Sequence, residues 1–139
     1  MIYKKQKRLT YGETIRFHGH DGPFLALGYK LGLFIINRLK PKGIIDMTIN
    51  VRVRLKKPYT CFIDGLQCST FATVGKGNLR VTGRNIDILS VIAVCNDKKL
   101  KVVISQKAMK ICKDSGDLKK AARSIFKTPD NILFNIKNP

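Results

Sequence analysis

Apolar and polar positions along the chain change rhythm several times, and each change predicts an element. Glu13 stands three residues after Thr10, the spacing of a capping box, so a short helix is expected from Thr10 to about Phe17. Gly22 and Pro23 open a second helix, because proline suits the first helical position, where the missing N–H costs nothing. Phe24, Leu27, Leu31 and Ile35 recur at helical spacing as far as about Leu39, while Leu25, Phe34 and Ile36 widen the apolar surface. Such a helix is buried on more than one side, which points to a subunit interface. Within it Gly28 and Gly32 have the small-xxx-small spacing of elements packed closely together.

Pro41 ends the helical rhythm, and from Ile45 the chain alternates strictly. Ile45, Met47, Ile49, Val51, Val53 and Leu55 are apolar; Asp46, Thr48, Asn50, Arg52, Arg54 and Lys56 are polar. This period of two predicts a strand with one buried face and one wet, basic face. Tyr59 to Thr73 fits neither period uniquely. Gly75 to Asn78 reads as a loop, Leu79 to Thr82 as a short strand, Ile86 to Val94 as a buried strand, and Leu100 to Ser105 as its hairpin partner across Asn96 to Lys99. Short helices are expected at Lys107 to Cys112 and Asp117 to Lys127, the latter with Leu118, Ala121, Ala122 and Ile125 on one face, and a last strand at Ile132 to Ile136. The sum is an α+β chain with a mixed, largely antiparallel sheet and helices packed on one face. Residues 1–9 form a basic, flexible lead-in to one domain at 10–139.

Composition narrows the partners. At 139 residues and 44% hydrophobic content the chain can bury a core without metal or disulfide support. The longest apolar stretch, Phe24 to Ile36, contains Lys30 and falls short of the roughly 18 residues a membrane span needs. With no secretory leader visible either, the expected location is the cytoplasm. Cys61, Cys68, Cys95 and Cys112 form no C-x-x-C pair, so no zinc ribbon is expected, and reduced, buried cysteines are. The net charge of +18 suits an anionic partner or a lysine-rich solvated surface. The cations run along the whole chain with no interleaved aromatics to stack bases, which argues against nucleic acid.

His18 and His20, the only histidines, flank a glycine in a tight turn that can aim both rings at one point, as a metal site requires; the plain alternative is a turn held by backbone hydrogen bonds. The loop Gly75-Lys76-Gly77-Asn78 could cradle an anion on its backbone N–H groups, or simply turn before a strand with Lys76 in solvent. It lacks the P-loop pattern, because no glycine stands five residues before Gly75.

Three blocks taken together say more: F-H-G-H-D-G-P-F-L-A-L-G-Y-K from Phe17, C-F-I-D-G-L-Q from Cys61, and T-F-A-T-V-G-K-G-N-L from Thr70. In order and separation they resemble the FmdE/FwdE-like family of formylmethanofuran dehydrogenase accessory domains, which typically reads F-H-G-H-x-C-P-G-x-A-L-G, C-x-x-D-x-I-Q and T-G-C-T-x-G-K-G-N. The resemblance implies a fold similar to the catalytic-domain fold of glyceraldehyde-3-phosphate dehydrogenase, a homodimer, and a helix rather than a strand at Tyr59 to Thr73. It implies a ligand-binding cleft gathering His18, His20, Asp64, Gln67, Thr73, Lys76 and Asn78, with His18, His20 and Cys61 as metal ligands for zinc or another divalent ion. The departures are specific. Gly22 and Ala72 stand where the family has cysteines, Phe24 and Phe71 where it has glycines, and the C-terminal zinc ribbon is missing. Losing two thiolates predicts weak, substoichiometric metal.

The function implied is that of an accessory protein of archaeal-type one-carbon metabolism, as in methanogenesis. It would bind a small anionic ligand, a metal or a partner enzyme, with the formylmethanofuran dehydrogenase complex or an anionic one-carbon cofactor as partner. The alternative is a metal-dependent enzyme or metal-delivery protein, with His20 as ligand or general base, Asp64 orienting it and Lys76 holding an oxyanion. A basic nucleic-acid-binding domain, resting on charge alone, is the second alternative.

Overall fold

In the computed structural model, which describes residues 7–114 and 116–137, Thr10 caps the first helix as its spacing predicts. Its hydroxyl accepts from the Glu13 N–H at 3.1 Å, and the Glu13 carboxylate accepts from the Thr10 N–H at 2.9 Å. Helix α1 (Tyr11–His18) stops at Gly19, which takes φ 107°. That left-handed turn is open to glycine and returns the chain sharply toward α2 (Pro23–Leu39). Of the expected lead-in, residues 1–6 lie outside the described residues. Leu9 is tied down, its N–H donating to the Cys68 carbonyl at 3.3 Å and its carbonyl accepting from the Tyr29 hydroxyl at 2.7 Å.

Helix α2 is the centre of the molecule. Phe24, Leu25, Leu27, Leu31 and Ile35 are all buried, and the helix touches α3 (Cys61–Thr70), α5 (Leu118–Lys127) and the sheet. Each such side chain contributes roughly 1.5–3 kcal/mol by leaving water. Most of the broad apolar surface that pointed to a subunit interface is covered within the chain, with Leu33, Phe34 and Ile36 only partly buried. The crossing with α3 is a backbone contact. A Cβ on Gly28 would stand 2.1 Å from the Phe62 carbonyl oxygen, one on Gly65 2.1 Å from that of Leu25, and one on Gly32 1.7 Å from the Ser69 hydroxyl. The Gly28/Gly32 spacing reflects this approach.

Strands β1 (Met47–Val53), β2 (Leu79–Gly83), β3 (Ser90–Cys95), β4 (Lys98–Ile104) and β5 (Phe134–Lys137) form one sheet in the order β2-β1-β3-β4-β5. The β1–β2 pair is parallel and the other three are antiparallel. This is the mixed, mostly antiparallel α+β sheet that the patterning predicts. Met47, Ile49, Val51 and Val53 point into a core shared with α2, while Thr48, Asn50 and Arg52 point out. The α4 (Gln106–Asp114) and α5 helices follow β4, and a single turn, α6 (Asp130–Leu133), precedes β5. No helix among the described residues is long and apolar enough to cross a membrane.

Three boundaries differ from expectation. Ile45 and Leu55 continue the alternation in sequence but are 50% and 64% exposed, because β1 has pairing partners only from Met47 to Val53. Ile86 and Ile88 precede β3 rather than belonging to it and are 48% and 42% exposed. The last segment divides, Ile132 falling in α6 and Ile136 in β5.

Candidate functional site

His18 ends α1 and His20 lies in the turn to α2, and α3 brings Cys61 and Asp64 to meet them. Helix α3 can do so only because Gly28 and Gly65 let it lie against α2, whose N-terminus directly follows the turn. On α3, Cys61, Asp64 and Gln67 follow one another at i, i+3 spacing, so neighbours in the row share a face. The helix is the conformation the resemblance implies for this stretch.

His18 Nδ1 lies 2.6 Å from Asp64 Oδ2. A carboxylate only accepts, so Nδ1 carries a proton, and in the neutral ring Nε2 is the nitrogen that presents a lone pair. That Nε2 is buried and has no hydrogen-bond partner, an arrangement that costs about 1–3 kcal/mol if nothing answers it. The His20 ring sits beside it, centroids 4.6 Å apart. Ligand atoms of His18, His20 and Cys61 all lie within 4.8 Å of one another. Two nitrogens and a sulfur at that separation, with a carboxylate behind one imidazole, form the donor set of a borderline-soft divalent cation, so the residues fit the metal. Asp64 therefore backs His18, where the sequence reading paired it with His20.

Cys61 is 9% exposed. Burial pushes its thiol above the ordinary range, and the Asp64 carboxylate adds to the rise. The thiol is protonated at neutral pH, and a metal must displace that proton. Cys68, Cys95 and Cys112 are buried and free, each raised by burial, Cys112 to about 12. They act as apolar fillers, as expected.

The remaining expected residues form a second, linked group. Gln67 Nε2 donates to Asp64 at 3.3 Å, and its carbonyl oxygen accepts from the Val74 N–H at 2.9 Å, joining the histidine cluster to the glycine loop. The Lys76 ammonium, however, donates to the Phe71 carbonyl and to the Thr73 hydroxyl. Burial lowers its pKa. Asn78 is a buried clamp: its amide donates to the Ile44 and Met47 carbonyls at 3.0 and 3.2 Å, and its oxygen accepts from the Thr73 N–H at 2.9 Å. Thr73, Lys76 and Asn78 thus hold the loop that precedes β2.

Two residues with roles here escaped the sequence reading. The Tyr11 hydroxyl donates to Asp21 at 2.6 Å and fixes the far side of the histidine turn; burial and that bond push its pKa well up. Its partner is ten residues away across a turn, a spacing with no pattern to find. Lys30, noted only as a break in an apolar stretch, donates to the Ile125, Phe126 and Thr128 carbonyls at the C-terminus of α5. Beside His20 the surface dips into a hollow lined by Ile15, Asp21, Asp117, Leu118 and Lys119, which reaches the cluster at His20.

Among known proteins, the family model described as FmdE, Molybdenum formylmethanofuran dehydrogenase operon, matches residues 17–135. No curated protein matches the chain.

Proposed function

The chain belongs to the FmdE family, and from that premise we propose that it is an accessory protein of formylmethanofuran dehydrogenase chemistry that holds one divalent metal ion, preferentially zinc, on His18, His20 and Cys61. The observation that carries this reading is the buried His18 Nε2, partnerless while its other nitrogen is held by Asp64. A metal-bound histidine is ordinarily backed by a carboxylate in this way, which fixes the tautomer and aims the lone pair. When bound, the ion supplies a Lewis acid with an open position, since three protein ligands leave a tetrahedral set incomplete. His20 is exposed on the hollow side, so exchange with solvent or a partner enzyme runs through that face. An exchangeable three-ligand site suits metal delivery as well as ligand binding, and with no fourth ligand in the group among the described residues affinity stays low.

Binding of an anionic one-carbon cofactor is part of the reading, with Lys119 at the hollow as the cation it would meet. Lys76 has less support in that role, because its ammonium is already engaged by Phe71 and Thr73. The homodimer rests on the family resemblance alone. The cytoplasmic setting is part of the same proposal.

The test is a zinc titration of untagged protein against a chromophoric chelator. Protein as purified should hold substoichiometric zinc and saturate at one equivalent only on titration, with affinity rising about tenfold per pH unit below the Cys61 pKa as one thiol proton is released. His20→Ala and Cys61→Ala each abolish binding while circular dichroism stays native. No binding above a buffer control, or binding unaffected by both variants, contradicts the reading.

A further inference from the structure

The helices cover one face of the sheet, and the other is left open. Its outward positions are Thr48, Asn50 and Arg52 on β1, Arg80 and Thr82 on β2, Ser90, Ile92 and Val94 on β3 (Ser90 buried between Arg52 and Val103), Lys99, Lys101 and Val103 on β4, and Asn135 and Lys137 on β5. Five are cations and none is acidic. Among the described residues none of the five side chains makes a hydrogen bond or ion pair. Cations elsewhere are used differently: Lys30 caps α5, and Arg54 and Lys113 hold Asp87 between them. On the open face Lys101 even stands directly opposite Lys137 in the β4–β5 ladder, a like-charge pairing that costs stability unless a counter-charge answers it.

We infer that this face docks the acidic surface of a partner protein. The middle of the face is apolar, with half-buried Ile92, Val94 and Val103, and the cations stand around it. An apolar centre with a charged rim is the anatomy of a protein interface. A single-stranded nucleic acid would need aromatic rings on which to stack, and the outward positions carry none. A second copy of the chain would set five cations against five. Five strands about 4.8 Å apart, each offering about 18 Å of length, present about 400 Å², below the roughly 800 Å² per partner of a standard interface. The association is therefore transient, steered by charge and steeply weakened by salt. The face lies across the sheet from the histidine turn, so this inference and the metal reading stand or fall separately.

The test measures fluorescence anisotropy with labelled poly-L-glutamate and, in parallel, with an oligothymidylate of equal charge, at low and physiological salt. Arg52→Glu with Lys101→Glu should weaken poly-L-glutamate binding at least tenfold. Lys110→Glu with Arg123→Glu, the same charge change on exposed helix positions, should weaken it less than threefold. Arg52→Gln with Lys101→Gln should give an intermediate loss and serves as the substitute if the charge reversal fails to fold. Equal losses in the sheet and helix variants would overturn the inference. So would oligothymidylate binding that is tighter than poly-L-glutamate and sensitive to the sheet variants, which would assign the face to nucleic acid. A dimer in light scattering that Arg52→Glu dissolves would assign it to a second copy and overturn it equally.

Discussion

Replacing Gly28 with alanine tests whether the helix crossing that builds the site is as tight as it looks. The new Cβ would meet the Phe62 carbonyl oxygen at 2.1 Å and the Leu66 nitrogen at 3.1 Å. Both are backbone atoms of α3 and cannot swing aside. Reaching even 3.0 Å, which Cβ atoms essentially never undercut, requires α2 and α3 to part by about 0.9 Å. A radial gap of that size forfeits a quarter to a half of the attraction at each contact along the crossing. Overpacking a core by one methyl typically costs about 1–3 kcal/mol when side chains can adjust; with backbone on both sides the expected loss is about 3 kcal/mol or more, out of a total near 5–15 kcal/mol. Urea unfolding followed by circular dichroism should show a lower midpoint at unchanged slope. Because Cys61 and Asp64 ride on α3 while His18 precedes α2, zinc affinity should fall in the same variant. Gly12→Ala is the control: Gly12 is exposed in α1, its nearest neighbour to a new Cβ is 3.8 Å away, and the change should stabilise by about 0.5–1 kcal/mol. A Gly28→Ala protein within about 1 kcal/mol of wild type would refute the tight crossing.

Asp64→Asn keeps the shape but weakens the grip on His18 Nδ1, so zinc affinity should drop about 10–100-fold by chelator competition, with little change in thermal midpoint. An unchanged affinity would remove Asp64 from the site. Lys30→Met removes the charge-assisted bonds to the Ile125, Phe126 and Thr128 carbonyls, of which, among the described residues, only Ile125 keeps a second donor, the Thr128 N–H, and should cost about 1.5–3 kcal/mol in urea. A neutral result would make the cap dispensable. The Cys112 thiol, pushed up to about 12 by burial against an ordinary 9.0, stays protonated in the fold after the unfolded chain has ionised. Its contribution is therefore complete below about pH 9 and lost as the pH climbs toward 12, bounded at about 4 kcal/mol by 1.4 kcal/mol per unit. Cys112→Ala should flatten that alkaline decline, and an identical pH profile would contradict the assignment.

Much of the fold was legible where local chemistry decides. Thr10 with Glu13 announces α1, Pro23 announces α2, and alternation from Met47 to Val53 announces β1. What failed was set by distant pairing: nothing local says that Ile45, Leu55, Ile86 and Ile88 lack partners. The site divides the same way. The histidine turn and the family blocks mark residues that the fold brings together, but the 46-residue separation of His18 from Asp64 is closed by tertiary contacts, chiefly the glycine crossing of α2 with α3. Asp64 was therefore assigned to the wrong imidazole. Lys76 and Asn78 carry side chains suited to ligands as well as to loop closure, and sequence cannot choose between those uses.

The most direct measurement of the central claim is X-ray absorption at the zinc edge of protein loaded with one equivalent. One sulfur at about 2.3 Å and two imidazole nitrogens at about 2.0–2.1 Å are expected, completed by a light exchangeable ligand, with the sulfur lost in Cys61→Ala. A first shell of oxygens alone, or a sulfur that survives the removal of Cys61, would contradict the claim.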